Sequence, residues 1–209
     1  MRKVSVALVH HPVVDAAGGV VTSTLTTMDL HDLSRSARTY GCEALYIVHP
    51  IPAQQELAHR IIEHWTHGSS AKRIPDRKDA LATVKVVSTL EEAEAACGAG
   101  TELWSTAARE LGRSVSWSDG KRRIAVGGPP VLLVFGTSWG LAPAVIDRSD
   151  VLLEPIHGAG DWNHLSVRAA CAIALDRLCH QPSPAKASDL GKGVEDVTTG
   201  RSTKFVRPT

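Results

Sequence analysis

The chain has 209 residues, and its 23 Lys and Arg stand against 22 Asp and Glu for a formal net charge of +1. That balance supplies no global field for a polyanion or a membrane surface, so any such site has to be a local patch. A composition 43% hydrophobic and 22% charged excludes a wholly disordered or collagen-like chain, and nine aromatics, five of them Trp, argue against an exposed stacking sheet.

Val4–Val9 is a short apolar run stopped by His10-His11-Pro12 and reads as a buried strand. It is too short for a secretory signal core, and no stretch approaches the ~20 apolar residues of a membrane-spanning helix, so a cytoplasmic protein without membrane partners is expected. Residues 12–27 hold Gly18-Gly19 and a hydroxyl-rich stretch and read as a loop, with a short extended piece at Gly19–Thr22. Asp29 can cap a helix that runs to about Thr39 and closes at Gly41. Glu43–Val48 is the next strand. Ala53–His67 reads as an amphipathic helix through Leu57, Ile61, Ile62 and Trp65. Residues 69–82, basic and broken by Pro75, read as a loop. Val84–Ser88 is a strand, and Thr89 with Glu92 has capping-box spacing for a helix to Cys97. A strand is expected near Leu103–Ser105, then a polar, Gly-rich loop over 112–128. Val131–Phe135 is an almost purely apolar strand, Gly136–Gly140 a tight loop, and Val151–Leu153 a short strand. A helix over Asn163–Cys179 carries Leu165, Ala169, Ile173 and Leu178 roughly on one face. Residues 1–180 form one domain in this reading, and 181–209, with three Pro and three Gly, a polar flexible tail.

Short apolar strands alternating with helices specify an α/β fold, a mostly parallel sheet with helices on both faces. Such sheets bind ligands at the carboxyl ends of their strands, here the loops after Val9, Val48, Ser105, Phe135 and Leu153. The chain has no dinucleotide or P-loop glycine motif. Cys42, Cys97, Cys171 and Cys179 lack zinc spacing and read as reduced thiols. His59, His64 and His67 read as a solvated helix face, so no metal is expected. His10-His11 and His31-Asp32 come with no nucleophile motif. Gly136 and Gly140, four apart after a buried strand, either let backbone approach a flat ligand or make a plain turn. Arg35 and Arg38 beside Asp32 are either a surface ion ladder or a phosphate-binding pair. The densest polar cluster, Pro155–Gly158 and Asp161–Arg168, lies between a strand and a helix N-terminus, where free amides suit an anion.

Leu133-Val-Phe-Gly-Thr-Ser-Trp-Gly-Leu141, Leu153-Glu-Pro-Ile156 and Asn163-His-Leu-Ser-Val-Arg-Ala-Ala170 together resemble the C-terminal signature of SPOUT-class RNA methyltransferases. The Asp29-Leu-His-Asp32 and Arg38-Thr-Tyr-Gly41 stretches strengthen the likeness, which covers about residues 1–179. It implies a C-terminal deep trefoil knot, a homodimer built on the final helix, and S-adenosylmethionine (SAM) held by three loops. The cofactor-binding residues it implies are Phe135, Gly136, Thr137, Trp139, Gly140 and Leu141; Pro155, Ile156 and Gly158; and Asn163, Leu165 and Ser166. Asp29, Arg35-Ser-Ala37 and Gly41 are also similar in spacing to the ribose 2′-O-methylating branch. That likeness assigns Arg35 to phosphate or the acceptor oxygen and Asp29 or His164 to the proton, with Asp161 or Asp29 the base for a ring nitrogen. Asp29 stands where that branch has Asn, and Thr137-Ser138 where it has Glu. Arg168 is expected to orient the knot or reach the cofactor carboxylate. The implied activity is methyl transfer to a nucleotide of tRNA or rRNA, with RNA held by Arg38, Arg73, Arg77, Lys121, Arg122 and Arg123. The competing readings are a non-catalytic RNA-binding dimer and a SAM enzyme with another substrate.

Overall fold

The computed structural model describes residues 1–160 and 162–181, with backbone alone at Ser69 and Ser70. The expected tail, from residue 182 on, and Asp161 lie outside the described residues. Six strands pair in parallel in the order β5-β4-β1-β7-β6-β8: β1 Val4–Val9, β4 Leu45–Val48, β5 Val84–Val87, β6 Glu102–Ser105, β7 Val131–Gly136 and β8 Val151–Leu152. The central strands β1, β4 and β7 are buried almost throughout, which is why their sequences are continuous apolar runs rather than alternating ones.

Helices cover both faces. On one side Val4, Val6 and Leu8 pack with residues of α1 (Thr27–Thr39), α2 (Pro52–Thr66), α4 (Pro75–Leu81), α6 (Trp117–Ala125) and α8 (Val167–Cys179). On the other, Ala7 and Val9 pack with α5 (Leu90–Cys97) and α7 (Pro143–Asp147). The expected mixed architecture is therefore present. The chain leaving β7 passes β6 to reach β8 at the sheet edge.

Several boundaries differ from the sequence reading, each for a local reason. The presumed loop 12–27 holds a hairpin, β2 Val13–Val14 with β3 Val20–Val21, turned by Asp15, whose Oδ1 accepts from the amides of Ala17 and Gly19. Helix α1 starts earlier than Asp29. Thr26 is its cap, accepting from the Asp29 amide, and Asp29 sits inside the first turn. Residues 69–82 form α3 (Ser69–Arg73) and α4, with Pro75 opening α4 rather than breaking a helix. Helix α6 was hidden by its basic run and by Gly120. A Cβ there would meet Leu178 Cδ2 at 2.9 Å, so the glycine permits close packing on α8. Helix α8 begins at Val167, four residues later than expected, because Ser166 caps it by accepting from the Ala169 amide. Leu165 is thereby outside the helix and 46% exposed.

Candidate functional site

Parallel strands send all their carboxyl ends to one rim, and the loops after β1, β4, β6, β7 and β8 meet there with the N-termini of α1 and α8. Of the residues the sequence assigned to a cofactor, Phe135 is instead a buried core residue within β7, and the others lie at or follow the strand ends at that rim. The β7 loop is bound to the β2–β3 hairpin. The Trp139 amide donates to the Val14 carbonyl at 3.0 Å, and the Val14 amide to the Gly140 carbonyl at 2.9 Å. Within the loop the Gly140 amide donates to the Thr137 carbonyl at 3.0 Å, closing a turn that holds Ser138 at φ 54°. A non-glycine residue there persists because its neighbours fix it on both sides. The loop folds so closely on Gly136 that a Cβ would meet the Leu141 nitrogen at 2.6 Å and the Gly140 carbonyl carbon at 2.8 Å. Gly140 itself has open space but φ +113°. Gly136 is therefore required by the way the loop packs on itself, and the Thr137, Trp139 and Gly140 amides are all engaged within the loop and its neighbours. Trp139, 68% exposed, stands at the edge of the loop.

The β8 loop runs past α6. The Trp117 indole donates to the Pro155 carbonyl at 3.4 Å, and Glu154 accepts from the Trp117 amide at 2.7 Å. Beyond it, Asn163 Nδ2 donates to the Ala108 carbonyl at 2.8 Å, joining the β6 and β8 loops. This bond brings the exposed Arg109, absent from the candidates above, next to the polar cluster. Trp162, 78% exposed, meets the exposed His164 edge to face, ring centroids 4.9 Å apart.

Asp29 is buried, 4% exposed, and both of its oxygens are engaged: Arg168 Nη1 donates to Oδ1 at 2.7 Å, and the Thr26 hydroxyl to Oδ2 at 2.6 Å. Arg168 also reaches Asp32 Oδ2, at 3.4 Å. Arg168 thus ties α8 to α1. The pair also accounts for a carboxylate at the position where the ribose-methylating branch has an amide. The ion ladder considered for Asp32 with Arg35 and Arg38 does not form, because Asp32 is taken by Arg168. Arg35 and Arg38 are exposed.

A second polar group occupies the floor of the rim. His10 Nδ1 is 2.8 Å from Ser23 Oγ, which is 2.5 Å from Thr137 Oγ1, and Thr137 Oγ1 donates to the Val9 carbonyl at 3.1 Å. His49 Nε2 meets the Ser23 carbonyl at 3.0 Å, and the two imidazoles stack with centroids 5.1 Å apart. Burial, then the neighbouring His49, push His10 down to about 4, against the opposing pull of Asp29. Burial also lowers His49. His49 and Ser23 escaped the sequence reading. The readable signal was that His10 and His49 each follow a buried strand, so both had to reach the same rim.

The six residues expected to hold RNA sit elsewhere. Arg38 is in the last turn of α1, Arg73 ends α3, Arg77 lies over the Trp65 ring at 4.5 Å, and Lys121, Arg122 and Arg123 are in the second half of α6, where Arg122 pairs with Asp119. The ends of α1 and α6 run back toward the opposite rim, whereas Arg77 lies near His31 in the first half of α1. Among the described residues no group of three or more His, Cys, Asp and Glu is placed to hold a metal ion, and no helix is long and apolar enough to cross a membrane.

The family described as SAM-dependent RNA methyltransferases matches residues 3–180. A protein of Aquifex aeolicus described only as uncharacterized is 41% identical over 181 residues, 85% of this chain and 88% of that one. A tRNA (guanine-N(1)-)-methyltransferase of Oleidesulfovibrio alaskensis is also 41% identical over 181 residues, but these are 42% of its length, so the chain spans about two fifths of that relative. The solved TrmH/SpoU tRNA modifying enzyme of A. aeolicus shares the fold, with a TM-score of 0.52 at 14% identity, over 85% of this chain and 74% of that one.

Proposed function

Because the chain belongs to the SAM-dependent RNA methyltransferase family, we propose that its carboxyl rim binds SAM and transfers the methyl group to a nucleotide of tRNA or rRNA. The observation that carries this reading is the family match over residues 3–180, with the tightly folded β7 loop at the carboxyl rim beside it. SAM supplies a methyl carbon made electrophilic by its sulfonium. In this reading Gly136–Leu141, Pro155–Gly158 and Asn163–Ser166 hold it, and the rest of the task is to place the acceptor in line and take its proton. Arg35, exposed on α1, holds phosphate or the acceptor oxygen. The exposed His164 is better placed to take a proton than Asp29, whose oxygens are already engaged. Asp29 then serves by fixing Arg168.

The reading includes a cytoplasmic homodimer. Leu165, just before α8, and the half-buried Ala169 and Ile173 on it leave an apolar strip for a second copy, and sedimentation at micromolar concentration should give twice the monomer mass.

The test is incubation of purified protein with labelled SAM and total tRNA or rRNA, followed by nucleoside mass spectrometry. Label in one nucleoside is the expected result. SAM binding without label in either RNA would leave a non-RNA substrate, and RNA binding without SAM binding would leave a non-catalytic dimer.

A further inference from the structure

The hydroxyl chain beneath the β7 loop has only one direction. A carbonyl oxygen can only accept, so the Thr137 hydroxyl spends its proton on Val9. Thr137 Oγ1 must then accept from Ser23 Oγ, because two hydroxyl oxygens this close need a proton between them. Ser23, its own proton given away, accepts from His10 Nδ1. His10 is thereby protonated at Nδ1, and burial disfavours a second proton on the ring. The second histidine is fixed as well: its Nδ1 accepts from the Ile51 amide at 3.2 Å, so its Nε2 donates to the Ser23 carbonyl. The Ser23 amide in turn donates to the His10 carbonyl at 2.9 Å.

Ser23 is therefore held at its amide, its hydroxyl and its carbonyl by two residues at the ends of adjacent strands. Its remaining contact is Thr137, the residue immediately before the strained Ser138. We infer that Ser23, clamped by His10 and His49, is a positioning residue that sets Thr137 and through it the 137–140 turn that receives the cofactor. The inference rests on the SAM reading above.

One feature argues against mere filling of space. His10 is fully buried, and its Nε2 is enclosed with no hydrogen-bond partner among the described residues. An apolar side chain would fill this space without an orphaned nitrogen, which destabilises the fold. What the imidazole adds is the Nδ1 donor to Ser23. The device also joins parts distant in sequence, since Ser23 and Thr137 are separated by 114 positions.

The experiment is calorimetric titration of SAM into the full chain and its variants, each checked for folding by circular dichroism. Ser23→Ala removes the link, and affinity should fall by about tenfold, the scale of one lost hydrogen bond in a buried site. Ser23→Thr retains the hydroxyl and should recover most of that loss, which a role in packing alone would not produce. His10→Phe should weaken binding as Ser23→Ala does, and the double variant should be no weaker than either single one. Wild-type affinity in folded Ser23→Ala, or equal losses in Ser23→Ala and Ser23→Thr, overturns the inference while leaving the SAM site in place. Failure of the unsubstituted protein to bind SAM overturns the functional reading and this inference with it. Should Ser23→Ala not fold, His10→Phe and Ser23→Thr decide the question in the same way.

Discussion

Lowering the pH should loosen this fold, with His10 a leading contributor. The buried ring is held down to about 4 by desolvation and by His49, with Asp29 opposing, while an imidazole in the unfolded chain titrates near 6.5. Below 6.5 the unfolded state takes up a proton that the folded state refuses, so stability is lost as pH falls from 6.5 toward 4 and levels off beneath that. Taking the two values at face value, the loss is about 1.4 kcal/mol at pH 5.5 and about 2.5 kcal/mol at pH 4.5. With a urea slope of about 2 kcal/mol/M, the denaturation midpoint should drop by roughly 1 M over that range from this one residue. His49, lowered in the same direction, adds to the effect. The assay is urea unfolding followed by circular dichroism at half-unit steps from pH 7.5 to 4.5, for wild type and for His10→Asn. The two curves should converge on acidification, because the variant has no ring to protonate. Parallel curves across the whole range would refute the claim that His10 is held neutral.

Other outcomes test other contacts. Arg168→Ala strands the buried Asp29 carboxylate and should cost about 2–3 kcal/mol in urea unfolding, below the range for fully buried pairs because Arg168 is 28% exposed; adding Asp29→Asn should restore most of it. Gly136→Ala forces the β7 loop off its own backbone and should abolish SAM binding in calorimetry, whereas Gly140→Ala meets no atom and should cost only the strain of φ +113°, about 1–2 kcal/mol of stability. Arg35→Ala should keep SAM affinity within a few-fold yet slow single-turnover methyl transfer by about a hundredfold, the scale of losing a positioned charge; an unchanged rate removes Arg35 from the reaction. Neutralising Lys121, Arg122 and Arg123 together should flatten the salt dependence of RNA binding by about one unit per lost phosphate contact, and an unchanged slope would place the RNA on the carboxyl rim alone.

The sheet was legible because burial on both faces writes itself as uninterrupted apolar runs. Val4–Val9 and Val131–Phe135 could hardly be anything else, and their carboxyl ends pointed to the loops that carry the site. Elements whose sequences answer to a neighbour were harder to read. Gly120 looks like a helix breaker until Leu178 is set against it, and the β2–β3 hairpin has only two residues per strand, stabilised by the β7 loop. Asp29 looked like a free carboxylate because its partner, Arg168, is 139 positions away. Ser23 was one hydroxyl in a run of them, and only the meeting of three strand ends singles it out.

The pairing at the middle of the sheet also dictates when this protein can finish folding. Strand β1 leaves the ribosome well before its second neighbour, β7: Val9 and Thr137, joined by a hydrogen bond, are 128 positions apart. Until β7 emerges, β1 can pair only with β4, and its other edge, all Val, Ala and Leu apart from Ser5, is left bare. A nascent chain that carries β1 but not yet β7 is thus a sticky intermediate, and closure of so long a loop makes the final step slow. Synthesis rate and chaperone supply should govern the soluble yield of this protein more than its final stability does.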